Sequence, residues 1–401
     1  MSDILIPASS GGVKSDDVTT ILAHVLAGET ALTSDSGDEP GVGTMTVNSL
    51  LSFSCAAYSG RRVLAKWQNP KAAKGKPYSG VYIRYSASGY PGKTGGTQVY
   101  KGAGNNTVSE GQSQAYLDLP NLNTAYYLSI YPYVTCSAGE MTGDVRNATV
   151  KTSGLLNVTI KGTQTYIIPA GFKTMDIFCV GGGGGGGSSR AAWENGGGSG
   201  GGGGYTATKL KQSVSSGQTL AITVGAGGTG AAINSTARGG TGGVTSVGSI
   251  LSASGGEGGG FSLSGGRGGS GGGGASYNAY GDNRKGANGG SNGGDGAASS
   301  MAGGKGQGTT TRAFGESSGT LYAGGGAGGS CGYSVYAETQ YSGYGGAGGG
   351  GDSLNGRGST AGSPNTGGGG AGGYMSENDH TASPMIAGKS GGSGVVLLRF
   401  Y

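Results

Sequence analysis

The sequence predicts a mostly β, multidomain protein: a short N-terminal helix, an antiparallel β-sandwich, and a C-terminal glycine-rich domain whose glycine blocks form either β-strands or polyglycine-II helices. Three observations carry the prediction. Short alternating apolar runs recur between residues 50 and 152. Twenty-one of the 98 glycines precede Gly181, which leaves 77 in the last 221 residues, where roughly 7% glycine is usual. One apolar stripe at helical spacing stands alone near the N-terminus. A length of 401 residues also calls for several modules rather than one core. The boundaries fall at 1–45, 46–154 and 155–401.

In residues 1–45, Ser15-Asp16-Asp17 supplies a helix cap, and Val18, Ile21, Leu22, Val25 and Leu26 share one helical face. Gly28 is placed to end the helix. The segment carries seven acids and one lysine, and so short a helix needs something to pack on. His24, between the apolar positions, reads as a surface residue. The wording Ser15-Asp-Asp-Val-Thr, Ala23-His-Val-Leu-Ala-Gly28 and Asp38-Glu-Pro40 resembles a short segment of phage and prophage tail proteins of Gram-positive bacteria. The resemblance implies an attachment or oligomerisation end contacting other tail or baseplate proteins, and a homotrimer. A solvated linker with a transient helix is the plainer alternative.

Residues 46–154 offer seven strands: 50–57, 61–68, 80–86, 97–101, 114–119, 125–135 and 147–152. Val63, Ala65 and Trp67 face one way and Leu64 and Lys66 the other; Tyr126, Leu128 and Ile130 alternate with Tyr127, Ser129 and Tyr131. Short strands broken at Asn69-Pro70 and Ser88-Gly89 point to a sandwich. Val63-Leu-Ala-Lys-Trp67-Gln-Asn-Pro70, Val81-Tyr-Ile-Arg-Tyr85 and Leu119-Pro-Asn-Leu-Asn-Thr-Ala-Tyr126-Tyr127 resemble a fibronectin type III domain. The resemblance implies a spacer with Trp67 as core tryptophan and Tyr126 as corner tyrosine. The module has eleven Lys/Arg against four acids, but its lysines cluster around Pro70 and Pro77 without forming a stripe, so a solvated face is preferred to a nucleic-acid surface.

Glycine buries no side chain, and ordering its backbone costs about 1–2 kcal/mol per residue. Collagen is excluded, because the glycines come in blocks and only Pro364 and Pro384 follow Val180. A disordered linker would not be framed by strands. Here Leu156–Ile160, then Thr165–Phe172 and Thr174–Val180 around a Pro-Ala-Gly turn, read as a frame containing a hairpin, which Val395–Tyr401 closes. The remaining solution is a lattice of extended backbone in which glycine lets neighbours approach. Ile168-Pro-Ala-Gly-Phe172, Ile177-Phe-Cys-Val-Gly-Gly-Gly184, Gly217-Gln-Thr-Leu-Ala-Ile-Thr-Val-Gly-Ala-Gly-Gly228 and Gly394-Val-Val-Leu-Leu-Arg-Phe400 resemble, in order, the glycine-rich domain at the C-termini of phage tail proteins. Related tail-tip adhesins grow receptor loops between glycine motifs.

Four segments interrupt the glycine and concentrate aromatic and polar residues. They supply the candidate receptor-binding set: Trp193 and Asn195; Tyr277, Tyr280, Asp282 and Arg284; Tyr333, Tyr336, Tyr341 and Tyr344; Tyr374, Asn378 and Asp379. Rigid rings beside small polar groups suit adaptable recognition of a bacterial surface glycan or protein. Any single tyrosine could instead plug the lattice. The resemblance therefore implies a phage or phage-derived tail fibre that attaches to its host, located at the virion tail. The alternatives are a purely structural tail or baseplate protein, and then a glycan depolymerase using Asp282, Glu377 and Asp379.

No catalysis is expected and no cofactor: two histidines 356 residues apart give a triad or zinc site little material. Chance G-x-G-x-x-G matches lack a strand–helix context, which leaves nucleotide binding unsupported, and without a basic stripe no nucleic-acid partner is expected. A metal ion at Asn378-Asp379-His380 is a minor alternative. Four scattered cysteines without Cys-x-x-Cys spacing read as free thiols made in a reducing cytoplasm. The start Met1-Ser-Asp-Ile-Leu-Ile-Pro7 gives no signal-peptide pattern, and no long apolar run suggests membrane insertion.

Overall fold

A computed structural model describes residues 12–136, 139–190, 195–261, 264–278, 286–298, 302–330, 343–354, 358–374 and 385–401. The chain divides into two compact units, Met1–Leu155 and Leu156–Tyr401.

In the first unit, β1 (Thr30–Ala31) and β2 (Gly41–Val42) form a small ladder. The sandwich follows: β3 (Ser52–Ser59), β4 (Arg62–Gln68), β5 (Gly80–Ser86), β6 (Thr97–Gly102), β7 (Gln112–Asp118), β8 (Ala125–Cys136), β9 (Gly139–Thr142) and β10 (Arg146–Lys151). One sheet has the order β3-β4-β7. The other has the order β10-β8-β5-β6, with β9 also paired to β8. Period-two alternation fills the space between them: Val63, Ala65 and Trp67 from β4 meet Val81 and Ile83 from β5 and Tyr126, Leu128 and Ile130 from β8, all buried. The Trp67 indole N–H donates to the Tyr78 hydroxyl (3.3 Å), and the Tyr126 hydroxyl accepts the Asn121 N–H (3.1 Å), so both rings are buried with their polar ends satisfied. Lys71, Lys74 and Lys76 are exposed.

The N-terminal helix does not form. Only single 3₁₀ turns at Ser15–Asp17 and Leu22–His24 interrupt an extended chain. Val18-Thr-Thr-Ile is a β-branched run with poor helix propensity, and its neighbourhood finds other partners. The Leu22 N–H donates to the Asp35 carboxylate, Thr44 and Met45 donate to Leu22 and Val25, and Leu26 bridges Met45. The apolar positions Val18, Ile21, Leu22, Val25 and Leu26 are half-buried in this extended chain, and the expected helical face is absent. His24 is exposed.

The second unit contains β11 (Leu156–Ile160), β12 (Gln164–Ile167), β13 (Thr174–Val180), β14 (Asn195–Gly196), β15 (Thr206–Ser213), β16 (Thr219–Thr223), β17 (Thr245–Val247), β18 (Leu251–Ala253), β19 (Tyr277–Asn278), β20 (Ser353–Leu354), β21 (Gly358–Ser359) and β22 (Val395–Phe400). One sheet runs β11-β22-β13-β15 and a second β12-β16-β17-β18. The expected hairpin across Pro169-Ala-Gly171 is absent, because β12 and β13 belong to different sheets. Met175 to Val180 are buried without alternation, which demands a central position between two strands, whereas β12 is mostly exposed. Phe400 packs between the sheets, with ring centroids 5.8 Å from Tyr166 and 5.7 Å from Phe172.

A buried carboxylate ties the last strand in place. Asp176 accepts the Lys211 N–H (2.8 Å), the Arg399 guanidinium (3.0 Å) and the Tyr401 hydroxyl. Arg399 also pairs with Glu316 (2.7 Å) and lies 4.4 Å over the Phe314 ring. Burial works to raise the Asp176 pKa, but the hydrogen bonds from Tyr401, Lys211 and Arg399 outweigh it and hold it below the ordinary aspartate value.

Beyond Val180 the backbone counts in threes. Gly181, Gly184 and Gly187 donate to the carbonyls of Tyr205, Gly202 and Ser199. Gly182 and Gly185 donate to Gly243 and Gly240, and Gly183 and Gly186 to Gly392 and Lys389. Their carbonyls accept with the same period from three other neighbours: Gly182 and Gly185 from Gly256 and Gly259, Gly183 and Gly186 from Gly228 and Ala231, Gly184 and Gly187 from Gly370 and Gly373. Three residues per turn is the polyproline-II repeat, so residues 181–187 form a polyglycine-II rod inside a ring of six others. Residues 197–205 form a second, donating in turn to the segments 270–276, 367–373 and 254–260. Side chains are excluded from such a rod: a Cβ on Gly184 would stand 2.1 Å from the Glu257 carbonyl oxygen.

Candidate functional site

The register of the rods sorts their ends. Val180 leaves the β11-β22-β13-β15 sheet, so Gly181 marks the frame end of the central rod and Gly187 its distal end. At that distal level Gly187 donates to Ser199 and accepts from Gly373. Gly198 donates to Gly373 and accepts from Gly329, and Gly197 donates to Ser276, which itself donates to Gly329. Ser189 lies against Ile386, and Gly343 stands near the carbonyls of Gly328 and Ala287. The described residues that bracket all four interrupting segments therefore meet at one end of the lattice.

Nine of the candidates, Trp193, Tyr280, Asp282, Arg284, Tyr333, Tyr336, Tyr341, Asn378 and Asp379, lie outside the described residues. The backbones of Asn195 and Tyr277 belong to β14 and β19, which pair as Asn195↔Asn278 and Gly196↔Tyr277 and so join the first two segments. Tyr344 is exposed; its N–H donates to the Asn288 side chain (2.9 Å), which fixes its backbone at the same end. Tyr374 is different. It is only 7% exposed and its carbonyl accepts the Ile386 N–H, so this side chain is buried instead of facing outward.

The frame, the period-three rods and the closing strand span one continuous region, and a family model described as Glycine-rich domain matches residues 158–401. The chain belongs to this glycine-rich domain family. No curated protein matches the chain.

Within the family's region the structure reveals a site absent from the sequence-based candidates. A cleft of about 490 Å³ on the flank of the lattice is lined by Arg238, Thr241, Glu257, Ser264 and Arg267, with Gly239, Gly258 and Gly265 between them. The rods 239–242, 254–260 and 266–268 lie side by side there: Gly239 donates to Gly259, Gly242 to Gly256, and Glu257 to Arg267. The sequence signal was present but unused, since Arg238, Glu257 and Arg267 are lone charges set inside glycine tracts. Among the described residues, no group of three or more His, Cys, Asp or Glu side chains is placed to hold a metal ion.

Proposed function

We propose that this chain is a phage or phage-derived tail fibre protein that attaches the particle to a bacterial surface through the distal end of its glycine lattice. The observation that carries the reading is the register: the described residues flanking each of the four segments rich in aromatic and small polar residues lie on rods at that one end. A lattice bonded on six sides gives such segments a rigid base, which lowers the ordering cost of binding. In this reading the ligand is a surface glycan or protein, and no catalysis is required of the chain.

The first unit reads as a fibronectin type III-like spacer. Support comes from the sheet orders β3-β4-β7 and β10-β8-β5-β6, the buried Trp67, and the Tyr126 hydroxyl turned back to the Asn121 backbone. Residues 1–45 would face other tail proteins, and a trimer is the assembly expected of a fibre.

The test is binding of the fluorescently labelled full chain to Gram-positive strains with and without their wall glycans. Binding to a subset of strains that disappears with the glycans supports a sugar-directed tip, and binding that survives redirects the receptor to a surface protein. Replacing Tyr333, Tyr336 and Tyr341 together by Ala should abolish cell binding at an unchanged melting temperature. A folded chain that binds no cells but binds tail proteins would establish the structural alternative.

A further inference from the structure

We propose that the cleft between Arg238 and Arg267 is a separate binding site for an anionic polyol: one unit of a sugar or sugar alcohol that carries a phosphate or a carboxylate. The cationic side chains are held but not neutralised. Arg238 Nε donates to the Gly258 carbonyl (3.1 Å), which fixes the guanidinium and leaves its terminal nitrogens without a protein partner among the described residues. The Arg267 side chain has no hydrogen-bond or ion-pair partner there either. Nor has Glu257, although its N–H donates to the Arg267 carbonyl from the adjacent rod (2.7 Å). Arginine's planar fork matches the oxygens of a phosphate or carboxylate, and bonds to an ionised group are about twice as strong as neutral ones.

The backbone supplies a second, independent set of donors. A rod inside the lattice uses every N–H, but a rod on its flank has one face without a neighbour. In the cleft the N–H groups of Thr241, Gly258 and Arg267 donate to no protein acceptor among the described residues. Two guanidinium groups and three free amides around one volume favour an anion. The Glu257 carboxylate and the Thr241 and Ser264 hydroxyls provide acceptors for the hydroxyl groups of the same ligand. Among the described residues no aromatic or aliphatic side chain lines the cleft, so the partners it offers suit a polar ligand, and about 490 Å³ is a volume that suits a small molecule. The floor is held by direct backbone bonds between adjacent rods, from Gly239 to the Gly259 carbonyl and from Gly242 to the Gly256 carbonyl.

This site is on the lattice flank, and it stands whether or not the distal end binds cells. Isothermal titration of the full chain with glycerol 1-phosphate, glucuronate, inorganic phosphate, glycerol and glucose tests it. Glycerol 1-phosphate or glucuronate, whichever carries the fitting anion, should bind at least about tenfold more tightly than its neutral counterpart, the size expected from a charged hydrogen bond. Binding should weaken by a similar factor in Arg238→Ala and in Arg267→Ala, and recover in part in Arg267→Lys. Glu257→Gln should weaken the polyol anion but leave inorganic phosphate unchanged. Arg238, Glu257 and Arg267 are all exposed, so the melting temperatures of the variants should equal that of the wild type. Equal affinity for neutral and anionic ligands, anion binding unchanged in both arginine variants, or no binding at millimolar ligand would each overturn the proposal.

Discussion

Replacing Gly184 by alanine tests the lattice with a single methyl group. The new carbon would sit 2.1 Å from the Glu257 oxygen, where ordinary contact begins at 3.4 Å, so the rods 181–187 and 254–260 must separate by 1.3 Å. Between them run the bonds from Gly256 to the Gly182 carbonyl (2.9 Å) and from Gly259 to the Gly185 carbonyl (2.8 Å), all four residues being buried. Stretching both bonds by that distance leaves buried polar groups unpaired, at about 1–3 kcal/mol each, or about 2–6 kcal/mol together. For a unit of this size that corresponds to a fall in Tm of roughly 5–20 °C. Thermal unfolding followed by circular dichroism, with Gly162→Ala as control, measures it. Gly162 has nothing within 4 Å of its would-be Cβ and no left-handed φ, so its substitution should change stability by less than about 1 kcal/mol. A Gly184→Ala protein that melts within a degree of the control would refute the claim that the rods are interlocked by direct backbone contact.

Four further outcomes follow from buried groups. Asp176→Ala leaves Arg399 without its least exposed partner and should cost about 3–5 kcal/mol in denaturant unfolding. Because the folded-state pKa of Asp176 lies below its ordinary value, its stabilisation is complete above the unfolded pKa and is lost as pH falls through the folded one. The wild type should therefore lose more stability on acidification than Asp176→Asn does. Burial pushes the Cys55 and Cys179 thiols up to about 12, so a thiol reagent at pH 8 should label both only after unfolding. Tyr126→Phe removes the acceptor of the Asn121 N–H and should destabilise the sandwich by about 0.5–1.5 kcal/mol, read as a shift in the denaturant midpoint.

The sequence disclosed those elements whose side chains carry a period. Val63, Ala65 and Trp67 in β4, and Tyr126, Leu128 and Ile130 in β8, announce an inward face, and the seven strands expected in the sandwich are present with ends shifted by up to two residues. The stripe from Val18 to Leu26 carried a helical period too, but its β-branched backbone preference and the bonds to Asp35, Thr44 and Met45 overrode it. A Pro-Ala-Gly turn marked a chain reversal after Ile168 without saying which sheet would receive each arm.

Glycine has no side chain, so the three-residue repeat of the rods left no pattern in the letters. It emerges only from which carbonyl each N–H meets. The same holds for the candidate sites. The enrichment of aromatic and polar residues in four segments was legible, but their common end of the lattice was not. Arg238, Glu257 and Arg267 became neighbours through rod register alone.

The rods also determine how the second unit should respond to temperature. Unfolding an ordinary domain exposes mostly apolar surface and raises the heat capacity by about 12–15 cal/mol/K per residue, with exposed polar surface subtracting from it. Residues 181–187 and 197–205 bury almost nothing but amide groups bonded to amide groups. Their unfolding contributes little or even negative heat capacity, so the melting of this unit should show a heat-capacity step well below the norm for its length. Its free-energy curve against temperature is then broad and shallow. Cold weakens it little, and a lattice built this way keeps its shape across a wide range of temperatures.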